Sequence, residues 1–195
     1  MKTALFIIDV QNDFVEGGAL AVRGGKALAE RISAFVEDQG WRFDYVIASR
    51  DWHDSDSDNG GHFHAEPDFE DTWPTHCVRS THGAEYHEAI SPGHIDIHVF
   101  KGQGRPAYSI FQGFTGDDEP VPGVLDRLGV THVTVVGIAT DHCVRASAMD
   151  ALQSGREVQV LIDLVEGVST PASVVALSDL ADRGAMITLS ERSRW

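Results

Sequence analysis

The sequence predicts a doubly wound α/β domain, in which helices cover both faces of a mostly parallel sheet. Short apolar runs rich in β-branched residues recur along the chain, and amphipathic stretches of helical period separate them. The runs are apolar at consecutive positions, which is typical of strands buried on both faces. Strands that alternate with helices form parallel sheets through right-handed crossovers, so three layers are expected.

Six segments are predicted as strands because they are short, apolar and rich in valine and isoleucine. In chain order they are residues 4–10, 45–49, 95–100, 132–138, 158–162 and 186–189. The predicted fold is therefore a three-layer domain built around a six-stranded, mostly parallel sheet.

Four segments between these strands are predicted as helices, at residues 24–39, 121–128, 141–154 and 171–183. The first has apolar side chains at helical spacing and is followed by Gly40, a helix stop. The third is ended by Gly155. The fourth has Thr170 as its predicted N-cap, Pro171 in its first turn and Gly184 beyond its end.

Length and charge limit the class of protein. The chain has 195 residues, enough to bury one core without disulfides, and we expect a single domain over residues 1–195. Lysine and arginine number 15 against 30 aspartates and glutamates, a formal net charge of -15. Such a charge repels nucleic acid and anionic membranes, so small molecules and metal ions are the expected partners. A homo-oligomer is left open.

Cysteine usage and the N-terminal segment indicate the compartment. Only Cys77 and Cys143 occur, in no CxxC pair, which fits a reducing cytoplasm, although a single bridge between them is left open. The apolar run at residues 4–8 is ended by Asp9, too early for a signal peptide. No stretch reaches the roughly 18 apolar residues of a membrane span. We therefore expect a cytoplasmic protein.

Reactive side chains follow several of the predicted strands. Asp9 closes the first strand, Asp51 and His53 follow the second, Lys101 follows the third, and Cys143 follows the fourth at the start of a helix. In doubly wound sheets, ligands collect outside the carboxyl ends of the strands. The sequence therefore predicts an active site at this edge of the sheet.

Cys143 is the predicted nucleophile, although a lone cysteine is more often a small buried hydrophobe. A helix start lowers the pKa of a thiol, and a nearby Lys101 would lower it further. A thiol that attacks an amide needs a base to take its proton and an acid to protonate the departing ammonia, and Asp9 can do both in turn. Asp9 could instead simply cap a turn. Lys101 could otherwise be a solvated surface charge. Cys77 lacks such a setting and is expected to be structural.

The segment from residue 50 to residue 79 is poor in regular secondary-structure signals and rich in histidine. Long structureless loops in compact domains are usually functional, and imidazole and carboxylate are ligands for zinc, iron and manganese. The alternative is a weakly ordered acidic surface loop. The candidate ligands are Asp51, His53, His62, His64 and His76.

Five segments carry a family resemblance that spans essentially the whole chain. They are FIIDVQNDF at 6–14, SRDWH at 49–53, WPTHCV at 73–78, KG at 101–102 with YS at 108–109, and GIATDHCV at 137–144. With these motifs the chain resembles the isochorismatase-like hydrolases and, within them, the nicotinamidases, which also hydrolyse pyrazinamide. The last motif is the most specific.

The resemblance implies roles for the residues at the strand ends. Asp9, Lys101 and Cys143 match the catalytic triad of that family. A second set, Asp51, His53, His62 and His76, matches the ligands of one divalent metal ion, expected to be zinc, with iron and manganese as alternatives. The interval before His62 is long and acidic, so His64, two residues further on, is its natural rival.

The resemblance also implies how a substrate is held. The metal would bind the pyridine nitrogen, and the ring would lie among Phe14, Trp73, Tyr108 and Ala139. A cis peptide is expected before Ala139, so that the backbone N–H groups of Ala139 and Cys143 form the oxyanion hole. The implied reaction converts nicotinamide to nicotinate and ammonia through a thioester on Cys143, with pyrazinamide as a second substrate and salvage of nicotinamide for NAD synthesis as its use.

Two other functions are kept as alternatives. One is a related cysteine amidase that acts on carbamoyl or ureido compounds, which would have no reason to keep Asp51, His53 and His76 together. The other is a non-catalytic metal-binding domain on the same fold, since fold does not imply function. In that protein Cys143 would be inert towards alkylation.

Overall fold

Seven strands form one sheet in this computed structural model, which describes residues 1–195. The strands are β1 Lys2–Ile8, β2 Tyr45–Asp51, β3 Ile97–Lys101, β4 Phe114–Thr115, β5 Val130–Ile138, β6 Glu157–Glu166 and β7 Met186–Thr188. Their order across the sheet is β4-β3-β2-β1-β5-β6-β7. Every neighbouring pair is parallel except β3 with β4. The predicted fold class, a mostly parallel α/β sheet, is confirmed.

The predicted number of six strands is one too few. The missing strand, β4, is two residues long and pairs antiparallel with Val99 and Phe100 of β3. So short a strand carries no periodic pattern of its own, because it is defined by its partner across the sheet edge. The six predicted strands all form, with ends shifted by up to four residues.

Four α-helices cover the sheet: α1 Gly25–Gln39, α2 Val121–Leu128, α3 Arg145–Gln153 and α4 Thr170–Asp182. Successive residues of β1 point to opposite faces, with Phe6 and Ile8 on one and Leu5 and Ile7 on the other. The Phe6 face packs against α2, α3 and α4, and the Leu5 face packs against α1. Burial on both faces explains why β1 is apolar throughout.

Three local predictions are wrong at the ends of elements. β1 stops at Ile8, because Asp9 takes a φ of 47° and turns the chain out of the sheet. Ser169, not Thr170, caps α4, since its side chain accepts a hydrogen bond from the Ala172 N–H. The third helix begins at Arg145, because residues Thr140–Val144 form a π-helical turn instead of its first turn.

Two isolated β-bridges anchor the long connection from β2 to β3. His53 bridges Val78, and Phe63 bridges Trp73, each in parallel register. The Trp73 N–H donates to the His62 carbonyl at 2.9 Å. These bridges draw the histidine-rich segment back onto the carboxyl edge of the sheet. No helix in the protein is both long and apolar enough to cross a lipid bilayer.

Candidate active site

The reactive side chains predicted at the strand ends meet in the interior of the protein. Asp9 and Lys101 are fully buried, and Asp51 and Cys143 are 3% and 7% exposed. The topology explains the meeting, since β1, β2, β3 and β5 are neighbours in one parallel sheet and their carboxyl ends lie at one edge.

Lys101 is the centre of this cluster. Its Nζ lies 2.8 Å from Asp9 Oδ2, donates a hydrogen bond to Asp51 Oδ1 and lies 3.7 Å from Cys143 Sγ. The other oxygen of Asp9 accepts a hydrogen bond from Ser49 Oγ at 2.7 Å. One ammonium group therefore touches two carboxylates and the thiol, and the alternative of a solvated surface lysine is wrong.

Burial and charge set the pKa values in this cluster. Burial by itself would lower the pKa of Lys101, but Asp51 and Asp9 raise it well above its usual range, so the ammonium stays charged. Burial raises the pKa of Asp9, and the attraction of Lys101 offsets this only in part. For Asp51 the balance is reversed, because Lys101 and the two imidazoles of His53 and His76 hold its pKa well below the usual value.

The thiol of Cys143 does not have the low pKa that a helix start predicts. Burial raises its pKa well above the usual value, and Asp9 and Asp51 raise it further, against the opposing effect of Lys101. Cys143 also lies in the π-helical turn that runs into α3, not in the first turn of α3 itself. The protein without substrate therefore holds a neutral thiol, and a base is needed to remove its proton.

The backbone beside Cys143 contains the expected cis peptide. The peptide bond between Ile138 and Ala139 is cis. The Ala139 carbonyl accepts hydrogen bonds from the N–H groups of His142 and Val144, at 3.0 and 3.1 Å, which fixes the turn around the thiol. The Ala139 N–H itself donates to no other group of the protein.

Three of the five candidate metal ligands converge at a buried point. One ring nitrogen each of His53, His62 and His76 lies within 4.8 Å of the others. His53 Nε2 and His62 Nδ1 are buried and have no hydrogen-bond partner in the protein. Unpaired buried imidazole nitrogens are costly unless a ligand occupies them, so this donor set fits a divalent metal ion.

Neighbouring carbonyls orient two of these rings. Nδ1 of His53 donates to the Gly102 carbonyl, and Nδ1 of His76 donates to the Pro74 carbonyl, each at 2.8 Å. The carbonyls can only accept, so the tautomers leave both Nε2 lone pairs free for a metal. Asp51 Oδ2 lies 3.7 Å from each of these Nε2 atoms, within the same cluster.

His62 belongs to this cluster and His64 does not. Burial and the neighbouring imidazoles lower the pKa of His62 to about 4, so its ring is neutral at pH 7, as metal binding requires. The His64 side chain is exposed, and its Nδ1 contacts the backbone of Glu66. The alternative of a weakly ordered surface loop is wrong for the three buried rings.

A cavity of about 320 Å³ joins the thiol to the histidine cluster. The Trp73 indole N–H donates to the Tyr108 hydroxyl at 3.0 Å, which holds two of the wall residues together. All of the residues predicted to bind substrate line the cavity, which has walls formed by Phe14, Trp73, Tyr108, Ala139, Cys143 and His62. Aromatic side chains and a thiol in one cavity suit a flat ring that carries a carboxamide.

Several residues of the site were not singled out from the sequence. The fully buried Gln11 donates to the carbonyls of Asp51 and Ala84 and accepts from the Asp51 N–H, at 2.8 to 2.9 Å. His142 lines the cavity and packs edge-on against Trp73 at 5.3 Å. Both lie inside quoted motifs, but an amide or a lone imidazole there carries no chemical signal of its own.

Comparisons with known proteins establish the family of this chain. The isochorismatase domain matches residues 3–192. The chain is 45% identical to a nicotinamidase/pyrazinamidase of Mycobacterium tuberculosis over 177 residues, which cover 91% of this chain and 93% of that protein. Among solved structures, it is similar to the pyrazinamidase of Pyrococcus horikoshii in complex with zinc, with a TM-score of 0.82, 32% identity and coverage of 97% and 99% of the two chains.

A second structural relative is PnC1 from L. infantum in complex with nicotinate. The TM-score is 0.83 at 32% identity, and the match covers 97% of this chain and 93% of that chain. Because the domain match, the sequence identity and the structural match all span nearly the full length, the chain belongs to the isochorismatase domain family, together with these nicotinamidase and pyrazinamidase relatives.

Proposed function

We propose that this protein is an amidohydrolase that converts nicotinamide to nicotinate and ammonia, and pyrazinamide to pyrazinoate. The observation that carries the proposal is one cavity lined both by the thiol of Cys143 and by two of the three convergent imidazoles, His62 and His76. Behind the thiol lies the buried ammonium of Lys101. A pyridine carboxamide has a carbonyl carbon for the thiol and a ring nitrogen for a metal. The nicotinamidase and pyrazinamidase relatives support the same reaction.

The first half of the reaction forms a thioester. Asp9 accepts the proton of Cys143, and the thiolate sulfur bonds to the carboxamide carbon while the carbonyl electrons move onto oxygen. The N–H groups of Ala139 and Cys143 bind that oxyanion, which is typically worth about 3 to 4 kcal/mol per donor. Asp9 then donates its proton to the amide nitrogen, the C–N bond breaks, and ammonia leaves.

The second half releases the acid. Water loses a proton to Asp9 and attacks the thioester carbon, the C–S bond breaks, and the proton returns to the sulfur of Cys143. The raised pKa of Asp9 suits both directions of proton transfer. Lys101 stays charged throughout and stabilises the thiolate at 3.7 Å. The enzyme therefore returns to its starting protonation state.

His53, His62, His76 and Asp51 are the residues that we propose to hold one divalent ion. Zinc suits the three imidazoles and one carboxylate, with iron and manganese as alternatives. The bound ion would act as a Lewis acid towards the pyridine nitrogen and so orient the ring. A carbamoyl amidase has no use for this cluster, which is why the nicotinamide reaction is preferred. Both cysteines are free thiols, which supports a location of the protein in the reducing cytoplasm.

Ammonia release from nicotinamide tests the proposal. Cys143→Ala is expected to lower kcat by at least a thousandfold, since the nucleophile is lost. Cys77→Ala is the matched control, because Cys77 is also buried but lies outside the cavity. Activity that survives Cys143→Ala, or wild-type protein that hydrolyses carbamoyl compounds and not nicotinamide, contradicts the proposal.

A further inference from the structure

The mouth of the active-site cavity is apolar. Leu20, Phe69 and Val168, which we call the outer rim, line the same cavity as Cys143. Phe69 and Val168 are each 58% exposed, and they are two of the few large hydrophobic side chains that face solvent. Exposed apolar surface beside a binding cavity is characteristic of a ligand contact.

Hydrogen bonds to backbone N–H groups hold the outer rim in place. Oδ1 of Asp68 accepts hydrogen bonds from the backbone N–H groups of Glu70, Asp71 and Thr72, at 2.9 to 3.0 Å. This turn presents Phe69, whose ring centroid is 6.3 Å from that of Trp73 in an edge-on contact.

The other side of the rim is held in a comparable way. The Val168 N–H donates to Oδ1 of Asp141 at 3.0 Å, and the Leu20 N–H donates to the Asp13 carbonyl at 2.9 Å. Hydrogen bonds therefore support the apolar rim on both sides of the cavity.

The cavity is larger than the proposed substrate needs. A volume of about 320 Å³ lies in the range of roughly 300 to 1,000 Å³ found for sites that bind drug-sized ligands. Nicotinamide is one six-membered ring with one carboxamide, so it leaves the outer part of the cavity free.

The two anchors of the substrate decide which ring atom faces this free space. The ring nitrogen lies at the histidine cluster and the carboxamide lies at Cys143. The ring carbon between these two groups, C2, therefore points to the floor of the cavity. The floor is Asp51, which lines the cavity, contacts Lys101 beside the thiol and lies 3.7 Å from His53 Nε2. C5 lies opposite C2 on the ring and therefore points to the outer rim.

We propose that Leu20, Phe69 and Val168 form an outer subsite for an apolar substituent at C5, so that the enzyme hydrolyses 5-alkylnicotinamides as well as nicotinamide. The inference rests on the proposed function, since it uses the same thioester chemistry and the same two anchors. Each methylene that the rim removes from water is expected to raise kcat/KM by up to about fourfold.

The test measures kcat/KM for nicotinamide and for its 5-methyl, 5-ethyl and 5-propyl derivatives with the metal-loaded wild-type protein. The ratio of each derivative to nicotinamide is expected to rise along the series. A ratio that stays flat or falls overturns the proposed subsite. If nicotinamide itself is not hydrolysed, the proposed function fails instead, so the two failures are distinguishable.

Two pairs of variants test which residues form the subsite. Phe69→Ala and Val168→Ser are expected to lower the 5-propyl to nicotinamide ratio at least fivefold. The matched controls are Phe114→Ala and Val174→Ser, which remove exposed apolar side chains outside the cavity and should keep the wild-type ratio. A ratio of two rates on one preparation is insensitive to loss of folded protein. An unchanged ratio in Phe69→Ala and Val168→Ser overturns the assignment.

Discussion

Replacement of Gln11 by leucine should destabilise the protein and loosen the metal site together. Gln11 is fully buried, and its side chain carries three hydrogen bonds, two of them to the backbone of Asp51. β1 leaves the sheet at Asp9, while β2 continues to Asp51. The amide of Gln11 therefore replaces the backbone partner that Asp51 would otherwise lack.

The magnitude follows from the groups that Gln11→Leu leaves unpaired. The buried Asp51 N–H loses its side-chain partner, at a cost of about 1 to 3 kcal/mol, and the carbonyls of Asp51 and Ala84 each lose one donor but keep a second lone pair. We expect the free energy of unfolding to fall by about 3 kcal/mol in total. With a urea m-value of about 2 kcal/mol/M, the midpoint moves down by about 1.5 M.

Urea unfolding of chelated wild type, Gln11→Leu and Gln153→Leu measures this effect. Gln153 is exposed near the end of α3, and its change to leucine should stay within about 0.5 kcal/mol of wild type. Zinc affinity, measured by competition with a chelator, should fall about 10 to 100-fold in Gln11→Leu, because Asp51 loses its support. A loss of stability below about 1 kcal/mol with unchanged zinc affinity would refute the reasoning.

Three further predictions concern charge and metal. Lys101→Met removes the ammonium between two buried carboxylates. We expect kcat to fall at least about a thousandfold and the free energy of unfolding to fall by about 3 to 5 kcal/mol. A free energy of unfolding close to that of the wild type contradicts this. His62→Ala should weaken zinc binding at least about 10-fold in chelator competition while His64→Ala leaves it within about twofold, and equal losses contradict the ligand choice. Although burial opposes it, hydrogen bonds lower the pKa of Asp141. The stability that this carboxylate contributes is therefore present above its usual pKa and is lost progressively as the pH falls below it. Asp141→Asn should cost about 1 to 2 kcal/mol at pH 7 and less at pH 3 in urea unfolding, and a pH-independent difference contradicts this.

The larger part of the fold was predictable because its signals are local. Every strand except β4 is a short apolar run, and a glycine follows every α-helix within two residues. The errors lie at the ends of elements. Ser169 and Thr170 are both good N-caps, and only the path of the chain into α4 decides that the Ser169 hydroxyl reaches the Ala172 N–H.

The site was predictable in its members but not in its electrostatics. A cysteine after a strand and before a helix predicts a lowered thiol pKa, whereas the folded protein raises it by burial next to Asp9 and Asp51. The choice between His62 and His64 was likewise open in the sequence. It depended on which residue of the loop faces the interior once Phe63 and Trp73 are bridged.

The sequence by itself determined the α/β class, the strands that end at the active edge and the residues with reactive groups, because strand and helix periods and side-chain chemistry are properties of short segments. Only the tertiary structure decided the charge state of Cys143, the three imidazoles that meet, the support that Gln11 provides and the apolar rim of the cavity. Each of these depends on burial and on contacts between residues far apart in the chain, and no local pattern encodes them.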